Sequence, residues 1–169
     1  LRASEAFFKY LLLGSFAGSF YLLGLMLIYA QVGSTHFDKI AMFIYTHPIN
    51  DMYLVVSGGM LIMITIMFKI AAMPFGAWVL DVYEGASLPI TAFMAGTFKI
   101  AIFAIALRLF LEIFTQIKDF YDPLIITAAI ITLVSGSLLA IVQQNIKRML
   151  AASSIVHSGY LLIGLSSVG

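Results

Sequence analysis

The sequence predicts an all-α fold: a polytopic transmembrane helix bundle of about five spans, one of them discontinuous at Pro74. It is 62% hydrophobic and only 10% charged, with a mean hydropathy of +1.07, outside the range of water-soluble domains. The apolar residues form continuous runs that reach or exceed the roughly 20 residues an α-helix needs to cross about 30 Å of hydrocarbon. One such run is broken by proline close to a lysine. A transmembrane barrel is excluded, because its strands would alternate polar with apolar residues and these runs do not.

The first span covers residues 6–32 and carries Gly14, Ser15, Ala17, Gly18, Ser19 and Gly24, small residues that let neighbouring helices approach closely. A polar loop follows over 33–51, holding His36, Asp38, Lys39, His47 and Pro48. Its apolar run, 40–45, suits an interfacial turn and is too short to span. The second span runs over 52–72, after which Pro74 removes a backbone donor and clashes with the preceding turn. A short piece, 75–80, completes that crossing and ends at Asp81. Broken backbone survives in lipid only where protein or a hydrated cavity surrounds it, so the break is expected inside a bundle. The third span, 89–111, opens on a proline in its first turn. The fourth, 123–142, also opens on proline, after Asp119 and Asp122. The polar residues Gln143, Gln144, Asn145, Lys147 and Arg148 separate it from the fifth, 149–168.

These connections put Arg2, Lys9, Lys147 and Arg148 on one side, with Asp81 and Glu84 between them. Lys39 and Lys118 fall on the other side, with Arg108 reaching toward it. The positive-inside rule then makes the first side cytoplasmic. The sequence begins without an initiator methionine and ends in an apolar run, so it reads as a fragment; the run 6–32 is too long for the core of a signal peptide.

A charge inside an apolar span is costly and defaults to function. Lys69 lies in such a run next to the break, and Lys99 lies near the middle of the third span. Loss of water disfavours the charged form of an amine, so both are candidate proton carriers. The plainer alternatives are a static ion pair for Lys69 and an interface-seeking side chain for Lys99. His157 is the one histidine inside a predicted span; with Ser153, Ser154, Ser158 and Tyr160 around it, it is a candidate relay. A simple hydrogen bond to a neighbouring helix is the alternative. Asp81 and Glu84 read as the polar end of a span and a helix cap, Arg108 as an interface anchor or acid partner, and Lys147 and Arg148 as topology markers.

Cysteine is absent, which removes disulfides and thiolate metal centres. No carboxylates cluster within a span, so no metal site is expected. The net charge of +1 carries no nucleic-acid footprint. Phosphate-binding loops, dinucleotide fingerprints and nucleophile elbows are missing too, so energy for ion movement would come from another subunit or an ion gradient.

Three segments carry a family resemblance. FKIAAMPFGAWVLDVYEGASLPITAF, residues 68–93, resembles the discontinuous-helix segment of the antiporter-like subunits in the membrane arm of respiratory complex I. GSLLAIVQQNIKRMLAASSIVHSGYLLIGL, residues 136–165, resembles a later segment of those subunits, and EAFFKYLLLGSFAGSF, residues 5–20, the start of their antiporter-type domain. Within the family, DVYEGA at 81–86 resembles the subunit N branch of NADH-quinone oxidoreductase. Gly76 and Ala152 depart from it, standing where relatives often have histidine and tyrosine.

The resemblance implies that residues 1–169 are a partial proton-antiporter-type transmembrane domain, truncated at both ends. Lys69 would be the lysine of the broken helix and Lys99 the central lysine of the next one, passing protons laterally through water admitted by the break. The partners implied are the lipid bilayer and the other membrane-arm subunits, with no nucleic acid, in a bacterial inner membrane. NADH and quinone would be substrates of the whole complex, with no cofactor and no redox chemistry in this chain. The glutamate that the family pairs with the broken-helix lysine, and its exit lysine, fall outside residues 1–169. A stand-alone or multi-subunit cation/proton antiporter would use the same lysines and the same break, and a scaffold with permanently paired lysines is a third reading.

Overall fold

The computed structural model describes residues 2–167, and of Arg2 only the backbone. Leu1, Val168 and Gly169 lie outside the described residues, and with Val168 the expected end of the fifth span. Every regular element described is helical: α1 (Arg2–Val32), α2 (Phe37–Thr46), α3 (Tyr53–Lys69), α4 (Trp78–Gly85), α5 (Leu88–Ala95), α6 (Thr97–Arg108), α7 (Lys118–Val142) and α8 (Ile146–Ser166). Among the described residues, four helical stretches are long and apolar enough to cross a membrane: Ala3–Val32, Leu88–Ile113, Thr115–Val142 and Ile146–Ser166. The 17-residue α3 rises only about 25 Å, short of a full crossing, and α4 supplies the rest of this broken second span.

α1 lies along α3 because small residues face each other. A Cβ added at Gly24 would come within 2.6 Å of the Gly58 carbonyl oxygen, and one at Gly58 equally close to that of Gly24. The Thr65 hydroxyl crosses the same interface to donate to the Ala17 carbonyl at 3.0 Å. Gly14 and Gly18, predicted to serve the same purpose, face open space. Gln31 ties the end of α1 to the start of α3: its side-chain amide donates to the Asp51 carbonyl and accepts the Val55 N–H at 3.0 Å. The outer face of α1 presents Phe7, Phe8, Leu12 and Phe16, apolar as contact with lipid or further helices requires.

Several boundaries differ from the sequence prediction: α1 already begins at Arg2 and α8 at Ile146, and the short piece expected over 75–80 is the helix α4, which starts at Trp78 and runs past Asp81 to Gly85. The second span stops at Lys69 instead of Ala72, because Ala71 turns to φ +62° and the chain leaves the helix before Pro74 is reached. The run expected as an interfacial turn is a full helix, α2, which buries Ile40 and Ile44 one turn apart. Pro123 does not open the fourth span: α7 starts five residues earlier at Lys118, with Asp119 in its first turn and Lys118 paired to Asp122 at 3.7 Å.

The third span carries an interruption that the sequence did not signal. Gly96, at φ −105° and ψ −88°, separates α5 from α6. Its N–H still bonds to the Ala92 carbonyl at 3.1 Å and its carbonyl accepts the Ile100 N–H at 3.1 Å, so the passage bends without losing those bonds. A π-helical turn, Leu109–Ile113, closes this passage, with Phe114 N–H on the Leu109 carbonyl at 3.0 Å.

Two apolar clusters hold the bundle. The larger joins α3, α6 and α7 through residues such as Ile62, Ile66, Phe103, Tyr121 and Ile125. The smaller packs Phe68, Ala71, Trp78, Val79 and Tyr83 against Ile155 of α8, and so encloses the helix break.

Candidate functional site

The break spans residues 70–77, and its polar backbone is met by side chains from two other helices. Ile70, Ala71 and Ala72 are fully buried. Ala71 N–H bonds to the Phe68 carbonyl at 3.1 Å and Ala72 N–H to the Met67 carbonyl at 2.8 Å. Met73 N–H is taken by the Thr132 hydroxyl of α7 at 2.9 Å, and that hydroxyl donates to the Ala128 carbonyl at 2.6 Å. The Ile70 carbonyl receives the Ser158 hydroxyl of α8 at 2.7 Å. Pro74 follows on a cis peptide bond, and Gly76 is needed because a Cβ there would collide with the Ala71 carbonyl oxygen. Irregular backbone is therefore wrapped in protein, as membrane placement demands.

Lys99 is buried, and its ammonium is fully engaged. It donates to the Ser154 carbonyl at 2.8 Å, to the Ser154 hydroxyl at 2.7 Å and to the Ser158 hydroxyl at 2.9 Å. Three N–H donors thus meet three oxygen acceptors, none of them charged. Tyr83 of α4 lies near Ser154 of this set. Beyond the amine lies a groove of about 440 Å³ between α6 and α8, lined among others by Lys99, Ser153 and His157.

Lys69 ends α3 and is only half-buried, with its ammonium 5.8 Å from the centre of the Tyr10 ring and 6.0 Å from that of Phe98. Those are cation–π distances, which hold a cation without neutralising it. Among the described residues no carboxylate or hydroxyl bonds this amine. It lines the end of an apolar groove of about 300 Å³ bounded by α1, α3 and α6. The Phe98 ring beneath the Lys69 ammonium belongs to the residue that precedes Lys99 in the chain.

The serines that the sequence grouped around His157 belong mainly to Lys99. His157 is exposed toward the groove, with Ser153 Oγ 3.5 Å from its Nε2 and the Tyr160 ring 6.3 Å away. Ser154 and Ser158 were visible at helical spacing, but their partners come from α6 and from the break. Arg108 pairs with Glu112 at 2.9 Å on the exposed end of its passage and lies over Phe37.

Asp81 and Glu84 form an ionic cluster at one end of the bundle. Lys9 reaches Glu5 and Asp81, each at 2.7 Å, and Arg148 reaches Asp81 at 3.0 Å and Glu84 at 2.7 Å. Gln143 accepts from Arg148 Nε at 3.0 Å, and Asn145 donates to Glu84 at 3.2 Å while capping α8 through Lys147 N–H. Arg148, read from sequence as a topology marker, is the link between α8 and α4. The cluster also shows that Lys9, Asp81, Glu84 and Arg148 share one end of the bundle, as the predicted connections required.

A membrane bundle in which a discontinuous helix is sealed by its neighbours, with a fully bonded amine beside the break, has the architecture of transport-type membrane domains. The chain belongs to the NADH:quinone oxidoreductase/Mrp antiporter transmembrane family, whose model matches residues 1–169. It is 43% identical over 166 residues to NADH-quinone oxidoreductase subunit N of Parafrankia sp. (strain EAN1pec), covering 98% of this chain and 31% of that protein. Among solved structures it is similar to a chain of the respiratory complex I from Thermus thermophilus, at 33% identity and a TM-score of 0.78, covering 95% of this chain and 34% of that one. It is also similar to a chain of the membrane-bound sulfane sulfur reductase, an archaeal respiratory membrane complex, at 32% identity and a TM-score of 0.82, covering 98% and 34%. The chain therefore spans about a third of the length of the relatives it matches.

Proposed function

We propose that this chain is the central part of a proton-translocating subunit N of a bacterial NADH-quinone oxidoreductase, in the inner membrane. Lys69 and Lys99 carry the protons, and quinone reduction elsewhere in the complex drives them. The observation that supports this best is the Lys99 ammonium, buried against three neutral oxygens one hydroxyl away from the helix break. A structural lysine in lipid would be expected to hold an acid, and this one holds neutral oxygens.

Lys69, held by cation–π contacts at the edge of the break, stands on the input side of the pair. His157 is the candidate next relay, across the groove from Lys99. The other subunits of the membrane arm are the partners, and NADH and quinone are handled by them. The chain itself does no redox chemistry under this proposal.

The experiment is Lys69→Ala in the full-length subunit, assembled in the complex, with NADH-driven proton pumping followed in inverted membrane vesicles. Pumping should fall while NADH oxidation with a short-chain quinone persists. Unchanged pumping would end the proposal. Cation/proton exchange by the purified subunit without NADH would favour the antiporter reading instead.

A further inference from the structure

We propose that Ser158 is a positioning residue that couples the protonation state of Lys99 to the helix break beside Lys69; this rests on the proton-transfer role proposed above. The donor count makes the case. An ammonium has three N–H donors and no lone pair. Lys99 spends all three, on the Ser154 carbonyl, the Ser154 hydroxyl and the Ser158 hydroxyl. The set fits the charged amine.

A neutral amine keeps two N–H donors and gains a lone pair, so on proton loss one of the three oxygens must turn a proton toward the nitrogen. The carbonyl has none to turn. Ser158 has one, now given to the Ile70 carbonyl at 2.7 Å, with the Ser154 carbonyl at 3.1 Å as a second acceptor. Ser158 is 0% exposed, so solvent does not fill the vacated place. When its O–H swings to Lys99 Nζ, one O–H···O bond breaks and one O–H···N bond forms, with no net proton transferred at Ser158. The proton released by Lys99 leaves through the groove that Ser153 and His157 line.

The consequence falls on the break. Ile70 is the residue after Lys69, and the next one, Ala71, holds the positive φ that ends α3. Discharging Lys99 therefore strips a hydrogen bond from the backbone that positions Lys69. Ser154 carries the other movable proton, but among the described hydrogen bonds it is the Ser158 hydroxyl that reaches the break. Among the described residues, His157 of α8 lines the same groove as Lys99, Tyr83 of α4 lies near Ser154, and Lys69 of α3 lies over the ring of Phe98, the residue before Lys99. No carboxylate among the described residues bonds to Lys99.

The test compares Ser158→Ala, Ser158→Thr and Lys99→Ala in the full-length subunit within the assembled complex, reading protons pumped per NADH oxidised across a range of pH. Ser158→Ala should oxidise NADH, lose as large a share of pumping as Lys99→Ala, and alter the pH profile; Ser158→Thr, which keeps the hydroxyl, should recover both. Unsubstituted pumping by Ser158→Ala at every pH, with Lys99→Ala impaired, overturns the role of Ser158 alone. Unsubstituted pumping by both overturns the proton-transfer role beneath it. If Ser158→Ala does not assemble, hydrogen–deuterium exchange decides: relative to α7, residues 70–76 should exchange more steeply with pH in the unsubstituted subunit than in Lys99→Arg, whose guanidinium stays charged. Equal responses overturn the proposal.

Discussion

Thr132→Val removes one hydroxyl and keeps the shape of the side chain. In the native structure that hydroxyl accepts Met73 N–H at 2.9 Å and donates to Ala128, and Thr132 is 0% exposed. The Ala128 carbonyl loses little, because it retains its helical partner in α7. Met73 N–H loses its acceptor in a site closed to water, and an unsatisfied buried donor costs about 1–3 kcal/mol. Thr132→Ser makes the opposite cut: it keeps the hydroxyl and deletes a methyl, at a cost of about 0.5–1.5 kcal/mol by comparison with single buried methyl deletions. Denaturant titration of the full-length subunit in detergent should rank the valine variant below the serine variant. The reverse order, or a valine variant as stable as the unsubstituted protein, would refute the idea that Thr132 satisfies the break.

Three other changes probe the frame around the site. Gly58→Ala should weaken the α1–α3 contact, since the new Cβ would meet the Gly24 carbonyl oxygen at 2.6 Å; a loss of about 1–3 kcal/mol, typical of overpacking, is expected in the same titration. Gly76→Ala should be worse, because its obstacle is the rigid Ala71 carbonyl within the break, and assembly of the subunit into the complex should fall sharply on native gels. Arg148→Ala unties α8 from α4, but its partners are partly solvated, so it should cost about 1 kcal/mol or less, and that cost should shrink at high salt in a thermal melt.

Local chemistry made much of this legible in the sequence, while pairing across the bundle was hidden. Unbroken apolar runs placed the spans, and a lysine and a proline inside one of them located the irregular segment to within a few residues. The exact stop at Lys69 was not visible, because it comes from the positive φ of Ala71, a residue type that gives no warning of it. Gly96 was equally silent, since glycine is common in membrane helices and its bend leaves the local hydrogen bonds intact. Lys99 stood out by its charge, yet its partners lie 55 and 59 residues away on α8, and the Thr132–Met73 bond also joins residues 59 apart. Ser154 and Ser158 were noticed for the wrong neighbour. Their spacing of four put them on one face of α8, and only the packing of α6 decided that this face meets Lys99 instead of serving His157.

The tests of Lys69 and Ser158 both lean on the amine that the bundle encloses most completely. Lys99→Ala in the full-length subunit, assayed in inverted vesicles for protons pumped per NADH oxidised, addresses it directly. A proton carrier at Lys99 predicts that NADH oxidation continues while the ratio falls; a ratio equal to that of the unsubstituted complex would contradict it.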